Sequence, residues 1–223
     1  KLVNVVQHPN ITLYTHSEVK DFSGSLGNFN VKIVMKPKYV DEKKCTGCGT
    51  CAQKCPVKVP NEFDFGLGQR KAIYVPSPNA IPQKYTIDTD HCLYFTKGVC
   101  KVCQKFCTSG AINYEQQPQT VDVQVGTVVV ATGYDPFDPS GILEYGFGKY
   151  DNVITGPMVE RMADAMGPTG GKIIRPSYKK PPKKVAFLQC VGSRDEKLLL
   201  NYCSRVCCMY AIKDAMMLKE QDP

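Results

Sequence analysis

Cysteine is the residue whose number and spacing could do chemistry here, with twelve in 223 residues. The first group is Cys45, Cys48, Cys51 and Cys55, followed by Pro56, in the pattern C-x2-C-x2-C-x3-C-P. Three thiolates two residues apart on a tight loop can reach three corners of one [4Fe–4S] cube, and glycines let the backbone fold around it. The fourth, Cys55, begins a helix that turns away, so its thiolate reaches the other cube of a pair.

A second group, Cys92, Cys100, Cys103 and Cys107, has the same tail with its first spacing stretched by residues 93–99. Thr108 stands where proline is customary. Crossed pairing gives one cluster on Cys45, Cys48, Cys51 and Cys107, and another on Cys55, Cys92, Cys100 and Cys103. Zinc is the competing reading, with a zinc-stabilised interaction protein as its functional form. However, a triple C-x2-C-x2-C crowds too many thiolates into one loop for a single tetrahedral ion.

Cys190, Cys203, Cys207 and Cys208 remain. On a helix, Cys203 and Cys207 would share a face, with Cys208 turned about 100° away. Cys190 closes an apolar run that could approach the helix start. Four such thiolates could hold a third cube, and buried structural cysteines are the plain alternative. Twelve cysteines divide into three sets of four.

The formal charge of +7 counts every cysteine as neutral. An oxidised cube on four thiolates carries about −2, so three would bring the total to about +1. The basic excess then compensates buried anionic clusters, and with no basic-aromatic motif beside it a nucleic-acid role is not expected. Cysteine without a secretory leader points to redox or metal chemistry in a cytoplasmic setting. No apolar run is long enough for a membrane span. The absence of an initiating methionine suggests a piece of a longer chain.

The elements that must position these thiols change in texture along the chain. Residues 1–40 are β-rich, with strands expected at Ile11–Thr15 and Val31–Met35 and turn residues Gly24, Gly27 and Asn28 between them. Residues 41–115 are cysteine-dense and broken by Pro and Gly, a module stapled by its metals. In 116–178, Val121–Val125 alternates, and Thr127–Ala131 suits a strand buried on both faces, ending at Thr132-Gly133. A helix is expected near 157–165, with Pro157 at its start. Residues 179–184 (KKPPKK) form a linker candidate. Beyond it come a buried strand at 185–190 and a helix over 198–219, whose Val206, Met209, Ile212 and Met216 stripe would face the core. His8, His16 and His91 are read as structural, and Lys101 and Lys105 as solvated neighbours of the clusters. No catalytic residue is assigned.

Val128 to Asp135 (VVVATGYD) resembles the ATG segment of two-dinucleotide-domain flavoproteins, where Ala131, Thr132 and Gly133 would let backbone approach a flavin. The fingerprint G-x-G-x-x-G is absent, and Gly167–Lys172 (GPTGGK) has the wrong spacing for a phosphate loop. The chain as a whole resembles the A subunit of heterodisulfide reductase. The matching stretches are 39–48 (YVDEKKCTGC), 60–64 (PNEFD), 70–74 (RKAIY), 167–172, 190–195 (CVGSRD) and 202–210 (YCSRVCCMY).

That resemblance implies an α+β or α/β fold, a thioredoxin-reductase-like flavoprotein with a two-[4Fe–4S] ferredoxin-like module inserted. Residues 1–40 and 116–178 would be flavoprotein segments, 41–115 the module, and 179–223 the start of a second dinucleotide-domain-like segment. It also implies a third cluster on Cys190, Cys203, Cys207 and Cys208, and FAD in the complete protein. Where a nicotinamide fingerprint would sit, residues 189–193 (QCVGS) do not match it, so direct NAD(P)H use is not expected. The implied activity is that of an oxidoreductase component in which FAD divides an electron pair between ferredoxin and a disulfide-reducing partner. Implied partners are the other heterodisulfide-reductase-type subunits, ferredoxin, and a hydrogenase- or formate-dehydrogenase-linked donor, in a hetero-oligomer that could dimerise through this chain. The alternative is a ferredoxin-like relay without its own flavin chemistry.

Overall fold

The computed structural model describes residues 1–221. The chain divides into two units, one of residues 1–63 and 69–132, the other of residues 64–68 and 133–221.

The first unit opens with a helix, α1 (Leu2–Gln7), in place of the expected extended start. Ile11–Thr15, expected as a strand, is irregular chain, and β1 (Ser17–Ser25) begins only after it. β-branched residues make a strand only where a neighbour accepts the backbone hydrogen bonds. That neighbour is β2 (Asn28–Met35), antiparallel to β1 with Ser25 opposite Asn28, and the register slips between Val19 and Asp21.

After β2 the elements become short. They are α2 (Thr50–Lys54), β3 (Val59–Pro60) paired with β4 (Gln69–Arg70), β5 (Ile73–Tyr74) paired with β6 (Thr86–Ile87), α3 (Leu93–Lys97) and α4 (Val102–Lys105). None exceeds five residues, far below the length at which a helix persists alone in water. Tertiary contacts must therefore hold them. The core contains Val40, Ala72, Ile73, Ile87, Ala111, Ile112 and Tyr114, interleaved with Cys51, Cys55 and Cys103. The segment's entrance and exit lie side by side. Val40 bridges Ile112, the Asp41 amide donates to the Ala111 carbonyl at 2.7 Å, and the Asn113 amide to the Tyr39 carbonyl at 3.0 Å. The chain then returns as β7 (Gln119–Val125), antiparallel to β2, giving a sheet of order β1-β2-β7. Cysteines 45–107 thus lie on an excursion between two hydrogen-bonded strands of one sheet.

In the second unit α5 (Gly156–Ala163) packs on α6 (Cys207–Gln221). Thr155 caps α5, Pro157 lies in its first turn, and Met162 is its buried anchor. Arg161 forks to Asp64 and Asp164, each at 2.9 Å. The GPTGGK stretch folds back on the end of α5. Thr169 donates to the Met162 carbonyl at 2.8 Å, and a Cβ on Gly167 would lie 1.8 Å from the Arg161 carbonyl oxygen, so only glycine fits.

Further expectations are corrected by the structure. Residues 127–131 form no strand, and Val129 and Val130 are 84% and 77% exposed. Residues 185–190 likewise form none, with Leu188 59% exposed. A strand buried on both faces needs neighbours to pair its backbone. Among the described residues no strand pairs with either run. The helix expected over 198–219 starts at Cys207, and the preceding residues loop through an Asp195–Leu200 bridge with left-handed backbone at Leu199 and Arg205. Its apolar stripe faces outward, since Val206, Met209, Ile212 and Met216 are all exposed. The inward face carries Cys207, Tyr210, Ala211 and Asp214 instead. Small residues let α5 and α6 approach closely there: a Cβ on Gly156 would lie 2.6 Å from the Tyr210 ring. Residues 179–184 have no regular structure.

Candidate metal centres

The loop from Cys45 to Cys51 is shaped by backbone bonds. The Cys45 amide donates to the Asp41 carbonyl at 2.8 Å, and the Lys43 amide to the Asp41 carboxylate at 2.9 Å. Gly49, at φ +83°, caps α2, and a Cβ there would stand 3.1 Å from the Tyr85 hydroxyl. The loop therefore turns closely around that ring. Cys45, Cys48, Cys51 and Cys107 line one cavity, walled by Val40, Tyr85, Ala111 and Ile112. Cys55, Cys92, Cys100 and Cys103 line a second, walled by Ala72, Ile73, Ile87 and Tyr114. The packing of α2 on α4 produces this division. Each of these two short helices carries a cysteine near its start and is followed by one that belongs to the other cavity.

The donor chemistry suits an electron-poor inorganic group. Burial pushes the Cys51 thiol up to about 12, and the nearby Cys103, Cys45 and Cys48 thiols push the same way. Burial likewise raises Cys103, against the bond from Tyr114. Buried thiolates so close together need positive charge between them, which iron supplies. Burial also pushes Cys107 upward, but the Ser109 hydroxyl and the Ala111 amide outweigh it and leave this thiol lowered. The Ala111 amide lies 3.3 Å from its sulfur. Cys48 is lowered by the Thr50 hydroxyl, 3.5 Å away. Among the described residues no three Cys, His, Asp or Glu side chains converge closely enough for one metal ion. Each quartet instead lines a cavity of its own, and four thiols around one cavity are the donor set that fits a [4Fe–4S] cluster.

Several neighbours are invisible in the cysteine pattern. Lys71 Nζ donates to the Cys55 carbonyl at 2.6 Å, and Lys84 Nζ donates to the Cys45 carbonyl. Tyr39, Tyr94, Phe95 and Tyr114 form a ring cluster with centroids 4.1 to 5.9 Å apart. Lys101 Nζ stands 5.1 Å from the Tyr94 ring centroid, and Lys101 and Lys105 are both exposed. His91 Nδ1 lies 2.8 Å from Asp88, His8 accepts from the Asn10 amide, and His16 is lowered by burial and then by Lys38 and Lys36. None of the three histidines lines either cavity.

The last four cysteines also come together, although not on one helix face. Cys190 and Arg205 have left-handed backbone at φ +60° and +63°, which turns the loops on which Cys190 and Cys203 sit. The Ser204 hydroxyl, 3.7 Å away, lowers the Cys207 thiol, and the Cys190 backbone adds to the effect. Cys207, then Cys190 and Cys203, raise Cys208 electrostatically. The Arg205 amide donates to Cys203 Sγ at 3.4 Å. Cys203 and Cys208 are exposed. Ala131, Thr132 and Gly133 lie in exposed irregular chain after β7, with Gly133 at φ +72°.

Residues 38–61 match the 4Fe–4S binding domain family. With the mixed α/β architecture, this defines an iron–sulfur protein with a ferredoxin-like domain. Along its whole length the chain is homologous to heterodisulfide reductase A subunits. It is 55% identical over 223 residues to the iron–sulfur A subunit of the CoB–CoM heterodisulfide reductase of Methanocaldococcus jannaschii, covering all of this chain and 33% of that protein. It is also 55% identical to the A subunit of the H2/formate:CoB–CoM heterodisulfide, ferredoxin reductase of Methanococcus maripaludis, with the same shares covered. The A subunit of the ferredoxin:CoB–CoM heterodisulfide reductase of Methanosarcina mazei is 49% identical over 224 residues, and 28% of it is covered. The chain thus spans about a third of the length of the curated relatives it matches. Among the described residues no helix is long and apolar enough to cross a membrane.

Proposed function

We propose that this chain is the cluster-bearing segment of the A subunit of a heterodisulfide-reductase-type complex, an oxidoreductase component that moves single electrons between a flavin and its partners. Two [4Fe–4S] clusters would be held by Cys45, Cys48, Cys51 and Cys107 and by Cys55, Cys92, Cys100 and Cys103, and a third by Cys190, Cys203, Cys207 and Cys208. The single observation that carries the reading is the division of eight thiols into two cavities lined by four each. Clusters supply one-electron steps whose potentials are set by charge, hydrogen bonds and burial.

In this reading residues 41–115 are a ferredoxin module inserted into a flavoprotein framework, which the β2–β7 pairing on either side of the module supports. FAD belongs to the complete protein, with Ala131, Thr132 and Gly133 as backbone contacts. Electron pairs from a hydrogenase- or formate-dehydrogenase-linked donor would be divided between ferredoxin and a disulfide-reducing partner in a cytoplasmic hetero-oligomer. Names of the Methanococcus and Methanosarcina relatives, which join ferredoxin to the heterodisulfide, support that choice of partners. Iron and acid-labile sulfide should each reach at least about twelve per chain, three sets of four from this segment, when the complete protein is prepared anaerobically. Zinc without sulfide would sink the proposal.

The exposure of residues 128–133 favours a second reading, a relay segment without flavin chemistry of its own. Flavin released on acid treatment of the complete protein, and lost on Gly133→Val substitution, separates the two.

A further inference from the structure

We infer that Asp214 is a proton-binding site whose occupancy is coupled to the electron held at the quartet Cys190, Cys203, Cys207 and Cys208. The inference rests on the reading of that quartet as a cluster site.

Asp214 is 0% exposed, and among the described residues neither of its carboxylate oxygens has a hydrogen-bond partner. A charge in that position is expensive, so the neutral acid is favoured. Burial is the largest influence raising its pKa to about 6, Glu160 adds to it, and Lys213 opposes it. Glu160, from α5, is paired with Lys213 at 2.9 Å, and the other charged side chain of α5, Arg161, is engaged by Asp64 and Asp164. Tyr210 faces Asp214 from α6 itself, and Tyr134 lies within electrostatic range of Tyr210.

Position links this carboxyl to the quartet. Asp214 follows Cys207 by seven residues on α6, two turns and about 10 Å along the axis, on the same face. Tyr210 lies between them, three residues from one and four from the other. At an effective dielectric of about 20, a unit charge about 10 Å away changes a protonation equilibrium roughly tenfold. One-electron reduction of a cluster on the quartet, by a reduced iron–sulfur cluster or flavin, would be matched by uptake of one proton at the Asp214 carboxylate from hydronium in solvent. One O–H bond of hydronium breaks and one O–H bond of the carboxyl forms. The coupling makes that site easier to reduce at lower pH.

The test is a redox titration of the complete protein, followed by electron paramagnetic resonance, across about two units either side of pH 7. The signal of interest is the one that Cys203→Ala removes. Its midpoint should fall by about 59 mV in all as the pH rises through the carboxyl's titration, the equivalent of tenfold for one electron. In Asp214→Asn it should be flat, with the ferredoxin-type clusters unchanged in both proteins. Glu160→Gln should move the onset of the slope to lower pH without abolishing it. An equal slope in Asp214→Asn, or a flat wild type, overturns the inference while leaving the cluster assignment intact. Absence of any Cys203-dependent signal overturns both. Should Asp214→Asn fail to fold, infrared difference spectra of the wild type decide. Reduction should raise a neutral carboxyl band that shifts in D2O, and no such band overturns the coupling.

Discussion

The phenolic oxygen of Tyr114 lies 3.0 Å from the sulfur of Cys103, and both groups are buried. Burial is the largest influence raising the Tyr114 hydroxyl, and Cys103 adds to it; toward a thiolate ligand, which has no proton to give, the phenol is the donor. A bond of this kind stabilises the more negative, reduced state of a thiolate-held group. Tyr114→Phe should lower the midpoint of the cluster at Cys55, Cys92, Cys100 and Cys103 by roughly 20–60 mV, one ordinary hydrogen bond expressed for one electron. Electrochemistry that left the midpoint unmoved would remove Tyr114 from the tuning of that site.

Cys107 follows Cys103 by four residues yet lines the other cavity, with Cys45, Cys48 and Cys51. Cys107→Ser should therefore remove about four irons, those of that quartet. Adding Cys45→Ser should remove no more, because both residues serve one group. Elemental analysis of the two single variants and the double variant checks this, and additive losses would point to sequential rather than crossed pairing.

Arg70 has a side chain only 7% exposed, 2.8 Å from Asp88 and stacked 3.9 Å from the centre of the Tyr74 ring. Removing it leaves the Asp88 carboxylate buried without its main partner. Arg70→Met should destabilise the first unit by about 3 kcal/mol, and adding Asp88→Asn should restore part of the loss. Denaturant titration of the cluster-loaded protein reads both. Burial pushes the Asp88 carboxyl up, but the bonds from Arg70 and His91 outweigh it and hold it below 3.8. Its contribution is thus complete above 3.8 and is lost as the pH falls through the lower folded value. Arg70→Met should flatten that acid limb.

Asp214 has the opposite sign. Its folded pKa of about 6 exceeds the ordinary 3.8, so the folded state binds the extra proton between those values. The stability of the second unit should fall as the pH rises from about 4 to 6 and then level off. Hydrogen exchange of α6 should show this dependence in the wild type and lose it in Asp214→Asn.

The chain teaches unequal lessons about what a sequence carries. The C-x2-C-x2-C-x3-C-P loop is legible because covalent spacing limits where neighbouring thiols can reach, whatever surrounds them. The helix near 156–163 is legible for a similar reason, through Thr155 and Pro157. The apolar runs 127–131 and 185–190 mislead, because burial of a strand belongs to its neighbours rather than to its own residues. The stripe of Met209 and Met216 misleads in the same way: the packed face of α6 is chosen by what α5 can approach, as the Tyr210 ring does at Gly156.

The sequence by itself therefore determined the class of chemistry, twelve thiols in spacings that suit clusters, together with the kinship to heterodisulfide reductase A subunits. Only the tertiary structure decided the surroundings of those thiols. The packing of α2 on α4 assigns eight of them to two cavities, and a tyrosine eleven residues from Cys103 becomes its hydrogen-bond partner. A carboxyl that looks like an ordinary surface residue in the sequence is fully buried two turns along α6 from Cys207. The physical reason is the range of the forces involved. Ligand loops are governed by bond geometry over a few residues, whereas burial, dielectric and hydrogen-bond partnership arise from groups brought together across the whole unit.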